Sequence, residues 1–229
     1  MEALFEKADF STWERAEHFL YFRDRIKCRY TLNAEVDVTR LMEFRLDRGL
    51  KFFPLFLHVI MRAVNRSREF RMAYDSDGFP GWWSVVVPSY TIFHADDHTF
   101  SDIWSDYHEN RMIFYDAVRA DMETYREVKG LCARPGRPPN FCSVSALPWL
   151  RFTSFSPDSW EESPLLFPLI RFGRYETRAG RTALPVAVCV HHAAADGWHT
   201  AKLFNDMQEE ADGVDESPLT PDTAYSTAE

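Results

Sequence analysis

One segment near the carboxyl end of the chain constrains the fold more than any other. It reads LPVAVCVHHAAADGWHTAKLFNDMQEEAD, an apolar run followed by two histidines, an Asp-Gly pair and an amphipathic stretch. A short apolar run is typical of a buried strand, and apolar residues at three- and four-residue spacing are typical of a helix. The segment therefore predicts a strand, a tight turn and a helix, with His191 and His192 at the end of the strand.

Helical patterns occur in four further segments. Ser11 and Glu14 are expected to form a capping box at the start of STWERAEHFLYFRDR, and Thr39 is expected to cap RLMEFRLDRG. Apolar residues at helical spacing also occur in FFPLFLHVIMRAVNRS, and FSDIWSDYHENRMIFYDAVRADMETYREV is predicted to be a long helix.

Strand patterns lie between these helices. They occur in CRYTLNAEVDVT, in WWSVVVPSYTIFH with an interruption expected at Pro88, in FCSVSALPWLRFTSF, and twice in PLIRFGRYETRAGRTALPVAVCV, with a turn at ETRAGR. The order of strands and helices has no strict βαβ regularity, and the chain lacks a glycine-rich phosphate loop. We therefore predict a mixed α/β (α+β) fold and exclude a Rossmann or P-loop protein.

Composition excludes several function classes. The net charge of -9 argues against nucleic-acid binding, and no apolar run approaches the roughly 18 residues of a membrane span. The amino terminus has no signal-peptide pattern, so we expect a cytoplasmic protein. The four cysteines form no Cys-x-x-Cys pair and are expected to be free thiols that bind no metal.

The chain is predicted to form one domain over residues 1–211. The Pro- and Gly-rich segment 132–140 is expected to be a loop, because strand-like sequence resumes directly after it. Residues 212–229 are acidic and rich in Pro, Ser and Thr, which predicts a disordered tail.

His192 and Asp196 are the first candidates for chemistry. A neutral imidazole at the end of a strand is well matched to accepting a proton near neutral pH. The alternative from the residues alone is a structural histidine whose ring nitrogens bond to backbone groups. Gly197 is expected to allow a tight turn before the helix. Abundant aromatic residues, including 19 Phe and 7 Trp, suit a pocket for a flat organic ligand as well as an aromatic core.

The sequence around these residues resembles the chloramphenicol acetyltransferases of the trimeric type. HHAAADGWH is similar to the active-site signature of that family. Further segments resemble family motifs in the same order, namely WERAEHF, KFFPLFLHVIMRAVNRSREFRM, PSYTIFH, TFSDIWSDYHEN and VSALPWLRFTSF. The resemblance covers roughly residues 10 to 210. It implies the family's acyltransferase fold, a mixed sheet flanked by helices, and acetyl transfer from acetyl-CoA to a small acceptor.

The resemblance implies a role for each matching residue. His192 would be the general base, Ser145 would support the oxyanion, and Asp196 would form a buried ion pair with Arg15 that fixes the histidine loop, whereas His191 would be structural. Positions that would line the acceptor site are Phe22, Ile26, Cys28, Tyr30, Thr91, Phe100 and Phe155. Positions on the coenzyme A side are Lys51, Phe53 and Tyr175. No metal takes part, and the active sites would lie between the subunits of a homotrimer.

Some positions depart from the family pattern. Pro157 and Ser159 replace residues that usually contact chloramphenicol, and Arg171 replaces a threonine that holds an active-site water. Phe53 replaces a tyrosine. Chloramphenicol is therefore the leading acceptor, and the alternative is a CoA-dependent enzyme that acylates another small alcohol or amine, such as a natural-product intermediate. A homologue without catalytic activity would be expected to lack His192, Ser145 or the Arg15–Asp196 pair, and the chain has them all.

Overall fold

The computed structural model describes residues 3–157 and 165–214. Within them lie five α-helices, α1 (Ala16–Tyr21), α2 (Thr39–Asp47), α3 (Phe52–Arg66), α4 (Arg111–Thr124) and α5 (Gly197–Asp212), with a π-helical turn over Phe22–Ile26 and a 3₁₀ helix over Arg68–Arg71. The ten strands are β1 (Phe5–Lys7), β2 (Arg29–Asp37), β3 (Met72–Tyr74), β4 (Pro80–Trp83), β5 (Val87–His94), β6 (Thr99–Trp104), β7 (Phe141–Ala146), β8 (Leu169–Phe172), β9 (Glu176–Arg178) and β10 (Arg181–His191).

Seven of these strands form the main sheet. Its order is β2-β10-β8-β7-β5-β6, with β9 paired to β10. β7 runs parallel to β5 and β8, and the other neighbours are antiparallel. A smaller sheet has the order β1-β4-β3. The predicted mixed α/β class is confirmed.

The two faces of the main sheet differ in composition. One face carries the apolar side chains of the core, such as Val144, Ile170 and Val188, and helices α2, α3 and α5 contact β10, β5 and β2 respectively. On the other face, the register sets Asn33, Ala187, Arg171 and Ser145 level across four adjacent strands. We call this second surface the open face, since it lies opposite the apolar core residues of the sheet.

Two predicted helix starts are wrong. α1 begins at Ala16, and Ser11 caps no helix because its own N–H and hydroxyl both donate to the Asp9 side chain, at 2.9 and 2.7 Å. Thr39 is the first residue of α2, not its cap. Its hydroxyl accepts the Thr182 N–H at 2.8 Å, which ties the helix to β10.

One further helix prediction and one strand prediction also need correction. The segment predicted as one long helix from Phe100 begins as strand β6 and becomes helical only at Arg111. Pro88 lies inside β5 and does not interrupt it, and its carbonyl accepts the Ser105 N–H at 3.2 Å. Helices α3 and α5 and strands β7, β8 and β10 are confirmed, but the turn predicted at ETRAGR is wrong in part, because Glu176–Arg178 form β9 and pair with β10.

Two sequence expectations concern the ends of the described ranges. α5 ends at Asp212 and Val214 is buried, so packed chain extends to that residue, and the rest of the predicted tail lies outside the described residues. Ser159 also lies outside them. In the described part of the chain, no helix has the length and apolarity needed to cross a membrane.

Candidate active site

The turn after β10 is built from three buried alanines. Ala193, Ala194 and Ala195 have almost no solvent exposure, so larger side chains would not fit without rearrangement. His191 helps to close the turn, because its Nδ1 accepts the Ala193 N–H at 3.1 Å. The N–H of His192 donates to the Cys28 carbonyl at 3.0 Å, which joins this turn to the residue preceding β2.

The His192 imidazole lies between the Phe22 ring and the Asp196 carboxylate. It stacks on Phe22 with a centroid separation of 3.7 Å and an interplanar angle of 4°, and the Tyr30 ring meets it edge-on at 5.0 Å. Its Nδ1 lies 3.2 Å from Asp196 Oδ1, although the angles of this contact fall short of a hydrogen bond. The side chain is 28% exposed, so the ring is positioned and still reachable from solvent.

Asp196 connects the histidine turn to the amino-terminal segment. Its Oδ2 forms an ion pair with Arg15 Nη1, and Arg15 Nη2 donates to the Ala193 carbonyl at 3.2 Å. Burial lowers the pKa of Arg15, but arginine keeps its charge in proteins. The guanidinium therefore holds both the carboxylate and the backbone of the turn.

Gly197 is not required by the turn. It is the first residue of α5, its φ lies outside the left-handed region, and a Cβ there would meet no atom within 4 Å. The sequence expectation that glycine permits the turn is wrong, since Asp196 makes the change of direction with extended backbone angles of φ -105° and ψ 177°.

Further predicted pocket residues surround His192. Phe22 and Ile26 lie on the π-helical turn, and Cys28 and Tyr30 lie just beyond it. The Tyr30 hydroxyl is 2.7 Å from Thr200 Oγ1 on α5, and burial raises the pKa of both Tyr30 and Cys28. The structure thus brings Phe22 and Tyr30 into contact with the His192 ring and Cys28 into contact with its backbone, and Ile26 lies on the same short segment of chain.

Ser145 belongs to a second group, on the open face. Its Oγ is 3.0 Å from Thr91 Oγ1 on the neighbouring strand. Phe100 on β6 pairs with Phe93 on β5, and Phe100 is 53% exposed. The Phe93 ring meets Trp149 at 4.6 Å, and Trp149 is 59% exposed. We call Phe93, Phe100 and Trp149 the aromatic surface, because they expose an apolar area beside Ser145.

The fold keeps Ser145 away from His192 within one chain. Ser145 is level with Ala187 two strands away, and His192 follows Ala187 by five residues toward the end of β10. With strands about 4.8 Å apart and a rise of about 3.3 Å per residue, the two Cα atoms are on the order of 15–20 Å apart. A single reacting atom about 3 Å from both side chains is therefore excluded within one copy.

The third group of predicted residues lies at the start of α3. The Lys51 N–H donates to the Tyr115 hydroxyl at 2.9 Å, and its side chain is exposed. The Phe53 ring packs on Tyr90, while Tyr175 packs on the preceding residue, Phe52, at 5.2 Å. An exposed lysine beside a helix amino terminus suits an anionic group such as a phosphate. Among the described residues, no group of three or more His, Cys, Asp or Glu is arranged for a metal ion.

Comparison with known proteins identifies the family. The family model described as chloramphenicol acetyltransferase matches residues 3–208. A chloramphenicol acetyltransferase of Clostridium perfringens is 36% identical over 205 residues, which are 90% of this chain and 94% of the relative. One of Streptomyces acrimycini is 36% identical over 200 residues, 87% and 91% of the two chains.

The chain belongs to the chloramphenicol acetyltransferase family. It is accordingly an acyltransferase. A solved structure named chloramphenicol acetyltransferase superposes with a TM-score of 0.80 at 23% identity, over 91% of this chain and all of the other, which confirms the predicted fold.

Two further residues named from the resemblance are Arg171 and Phe155. Arg171 extends along the open face, where its Nη1 donates to the carbonyls of Ile170 at 2.9 Å and Ser143 at 3.2 Å, and burial lowers its pKa. Phe155 lies over β2, with its N–H bonded to Asn33 Oδ1 at 2.9 Å. Neither residue is in contact with His192, so the acceptor residues implied by the resemblance are not all gathered in one copy.

Sequence reasoning did not single out His199 and Thr200 of the first turn of α5. Both contact residues of the site, Asp196 and Tyr30 respectively. Their positions three and four residues after a helix-capping aspartate were the available signal.

Proposed function

We propose that this enzyme acetylates a hydroxyl group of chloramphenicol with acetyl-CoA and thereby inactivates the antibiotic. The observation that carries the proposal is the His192 imidazole, stacked on Phe22 and set 3.2 Å from the Asp196 carboxylate. A modest rotation would let Nδ1–H donate to Asp196, which leaves the lone pair on Nε2 as the base. Membership of the chloramphenicol acetyltransferase family supports chloramphenicol as the acceptor and acetyl-CoA as the acetyl donor.

The proposed reaction is a direct transfer. His192 takes the proton of the acceptor hydroxyl while that oxygen bonds to the thioester carbonyl carbon. The tetrahedral oxyanion is stabilised by the Ser145 hydroxyl, a type of contact worth about 3–4 kcal/mol. The C–S bond then breaks, and the proton on His192 passes to the departing thiolate to give free coenzyme A.

The amino terminus of α3 is proposed to receive coenzyme A. Lys51 and the helix dipole would attract the phosphates, and Phe53 and Tyr175 would contact the neighbouring part of the molecule. The acceptor would lie against Phe22, Ile26, Cys28 and Tyr30 on one side and Thr91, Phe100 and Phe155 on the other. Because acetyl-CoA is a metabolite of the cell interior, the proposal places the enzyme in the cytoplasm.

We further propose that the working enzyme is a homotrimer with active sites between subunits. The separation of His192 and Ser145 in one chain supports this, because the two residues can act on one carbonyl only when they come from different copies. The aromatic surface beside Ser145 supports it as well, since association would bury Phe93, Phe100 and Trp149.

The acceptor is tested with purified protein, acetyl-CoA and a panel led by chloramphenicol. Product should be followed by mass, because exposed Cys132 would itself react with a thiol reagent. We expect chloramphenicol to gain one acetyl group with the highest kcat/KM of the panel. Efficient acetylation of a different small alcohol or amine, with chloramphenicol unchanged, would replace this acceptor with the alternative one.

Shared sites are tested by complementation. An inactive His192→Ala chain and an inactive Ser145→Ala chain are unfolded, mixed equally and refolded together. Random trimers restore both residues at about a quarter of their interfaces, so about a quarter of the wild-type activity is expected. Mixed trimers of the correct mass without any recovery would mean that each site forms within one chain.

A further inference from the structure

The first turn of α5 contains a second histidine with an unusual capping role. His199 lies three residues after Asp196, and its Nδ1 accepts the Asp196 backbone N–H at 3.2 Å. In an ordinary capping box this position carries Glu or Gln, whose side-chain oxygen accepts the same N–H. An imidazole can replace that oxygen only through a nitrogen that carries no proton.

The surroundings of the ring define its protonation. Because Nδ1 accepts a hydrogen bond, the proton of the neutral ring is on Nε2, which lies 3.9 Å from Glu69 Oε1 on the 3₁₀ helix. Asp196 Oδ2 is 3.9 Å from Nδ1, and the cationic Arg15 and Arg68 are close enough to oppose a positive charge on the ring. His199 is 16% exposed, so these groups act on it with little screening by water.

The capped residue is the one that orients the candidate base. The Asp196 carboxylate meets both His192 and Arg15, while its carbonyl accepts the Thr200 N–H at 3.0 Å. With the carbonyl held by α5 and the N–H held by His199, both backbone groups of Asp196 are fixed. The direction of its carboxylate toward His192 follows from that.

We propose that His199 is a positioning residue for acetyl transfer, whose neutral imidazole holds the Asp196 backbone so that the carboxylate faces His192. The proposal rests on the assignment of His192 as the base. It predicts that the acceptor nitrogen, and not the size of the ring, is what the site requires at position 199.

Two substitutions separate these requirements. His199→Asn keeps an acceptor oxygen where Nδ1 lies and removes the ring, whereas His199→Phe keeps a ring and removes the acceptor. We expect His199→Phe to lower kcat roughly tenfold with KM nearly unchanged, since a misplaced catalytic group reduces turnover more than binding. His199→Asn should recover most of that loss. Equal kcat in the two variants, or a better His199→Phe enzyme, would overturn the proposal.

The pH profile gives a second readout. Burial lowers the pKa of His199, so the ring stays neutral into mildly acidic solution and loses its acceptor only as the pH falls further. As the pH falls, the decline of wild-type kcat/KM should then involve one more proton than the decline of His199→Asn, because only the wild-type cap can be protonated at this position. The same number of protons in both enzymes contradicts a titrating cap.

A measurement without substrate keeps the proposal separate from the proposed function. Nitrogen NMR of ¹⁵N-histidine-labelled wild-type protein, with the His199 signals assigned by their loss in His199→Asn, reports which ring nitrogen carries the proton. We expect an unprotonated Nδ1 at neutral pH. A protonated Nδ1 would refute the positioning role even in an active enzyme, whereas inactivity toward every acceptor with an unprotonated Nδ1 would refute the proposed function and leave the cap intact.

Discussion

The two ends of the candidate site are held in different ways. At the His192 end, the ring stack on Phe22, the carboxylate of Asp196 and the guanidinium of Arg15 all come from the same chain. At the Ser145 end, the serine hydroxyl has Thr91 as its side-chain hydrogen-bond partner among the described residues, and exposed aromatic rings lie beside it.

The difference separates two kinds of preorganisation. A base must keep one ring orientation, so its supports are built into the turn that carries it and persist in a single copy. An oxyanion donor needs only a hydroxyl at the right place on a rigid strand, and the surroundings can be supplied when copies associate. Changes to the groups that support His192 should therefore affect chemistry and folding together, while changes to His192 itself and at the Ser145 end should affect chemistry alone.

The largest effect is expected from His192→Ala. Removing the base should lower kcat by about 100-fold or more, because general-base catalysis typically contributes 10²–10⁴. Circular dichroism and the mass of the assembly should remain those of the wild type. Exposed His18 on α1 offers a matched control, and His18→Ala should keep the wild-type kcat. A His192→Ala enzyme with more than about a tenth of wild-type turnover contradicts the assignment.

Ser145→Ala should reduce kcat by about 10²-fold, the usual cost of one oxyanion donor, with no change in the urea midpoint. Ser143→Ala provides the comparison, since Ser143 lies two residues away on the same strand and face. That variant should stay within a few-fold of wild type. If both serine variants lose activity equally, the effect belongs to the open face in general and not to Ser145.

The sequence predicted the His192 end better than the Ser145 end for a physical reason. His192, Asp196 and the start of α5 follow one another along the chain, so local spacing carries most of their geometry. The ion pair with Arg15 spans 181 positions and came only from the family resemblance. The distance between Ser145 and His192 depends on strand order and register, which no local pattern encodes.

The wrong helix predictions have local causes. β6 alternates buried and half-buried residues at Ser101, Asp102 and Ile103, but it is short, and the helical pattern of α4 follows soon after it. Ser11 had the residue type of a helix cap, yet Asp9 bonds to it first. In both cases a nearby competing structure outweighed a correct general preference.

An intermediate effect is expected from the Arg15–Asp196 pair. Asp196→Ala leaves a largely buried guanidinium without its carboxylate, since the Arg15 side chain is only 12% exposed, and should cost about 2–4 kcal/mol of unfolding free energy. Arg15→Ala should cost a similar amount, and the double variant less than the sum. Urea unfolding measures all three. Additive losses would show that the two residues do not stabilise the turn as a pair.

The smallest effect is expected at Thr91, where the comparison between the two ends can be sharpened. Thr91→Val removes the hydroxyl that contacts Ser145 and keeps the branched shape, so kcat should fall by about fivefold, the value of one hydrogen bond near 1 kcal/mol. Thr91→Ser restores the hydroxyl and should restore kcat. The measurement is a full set of kcat and KM values for the acceptor. If Thr91→Val instead raises the acceptor KM and leaves kcat unchanged, Thr91 lines the pocket without orienting Ser145, and the Ser145 end would then have no positioning partner within its own chain among the residues described.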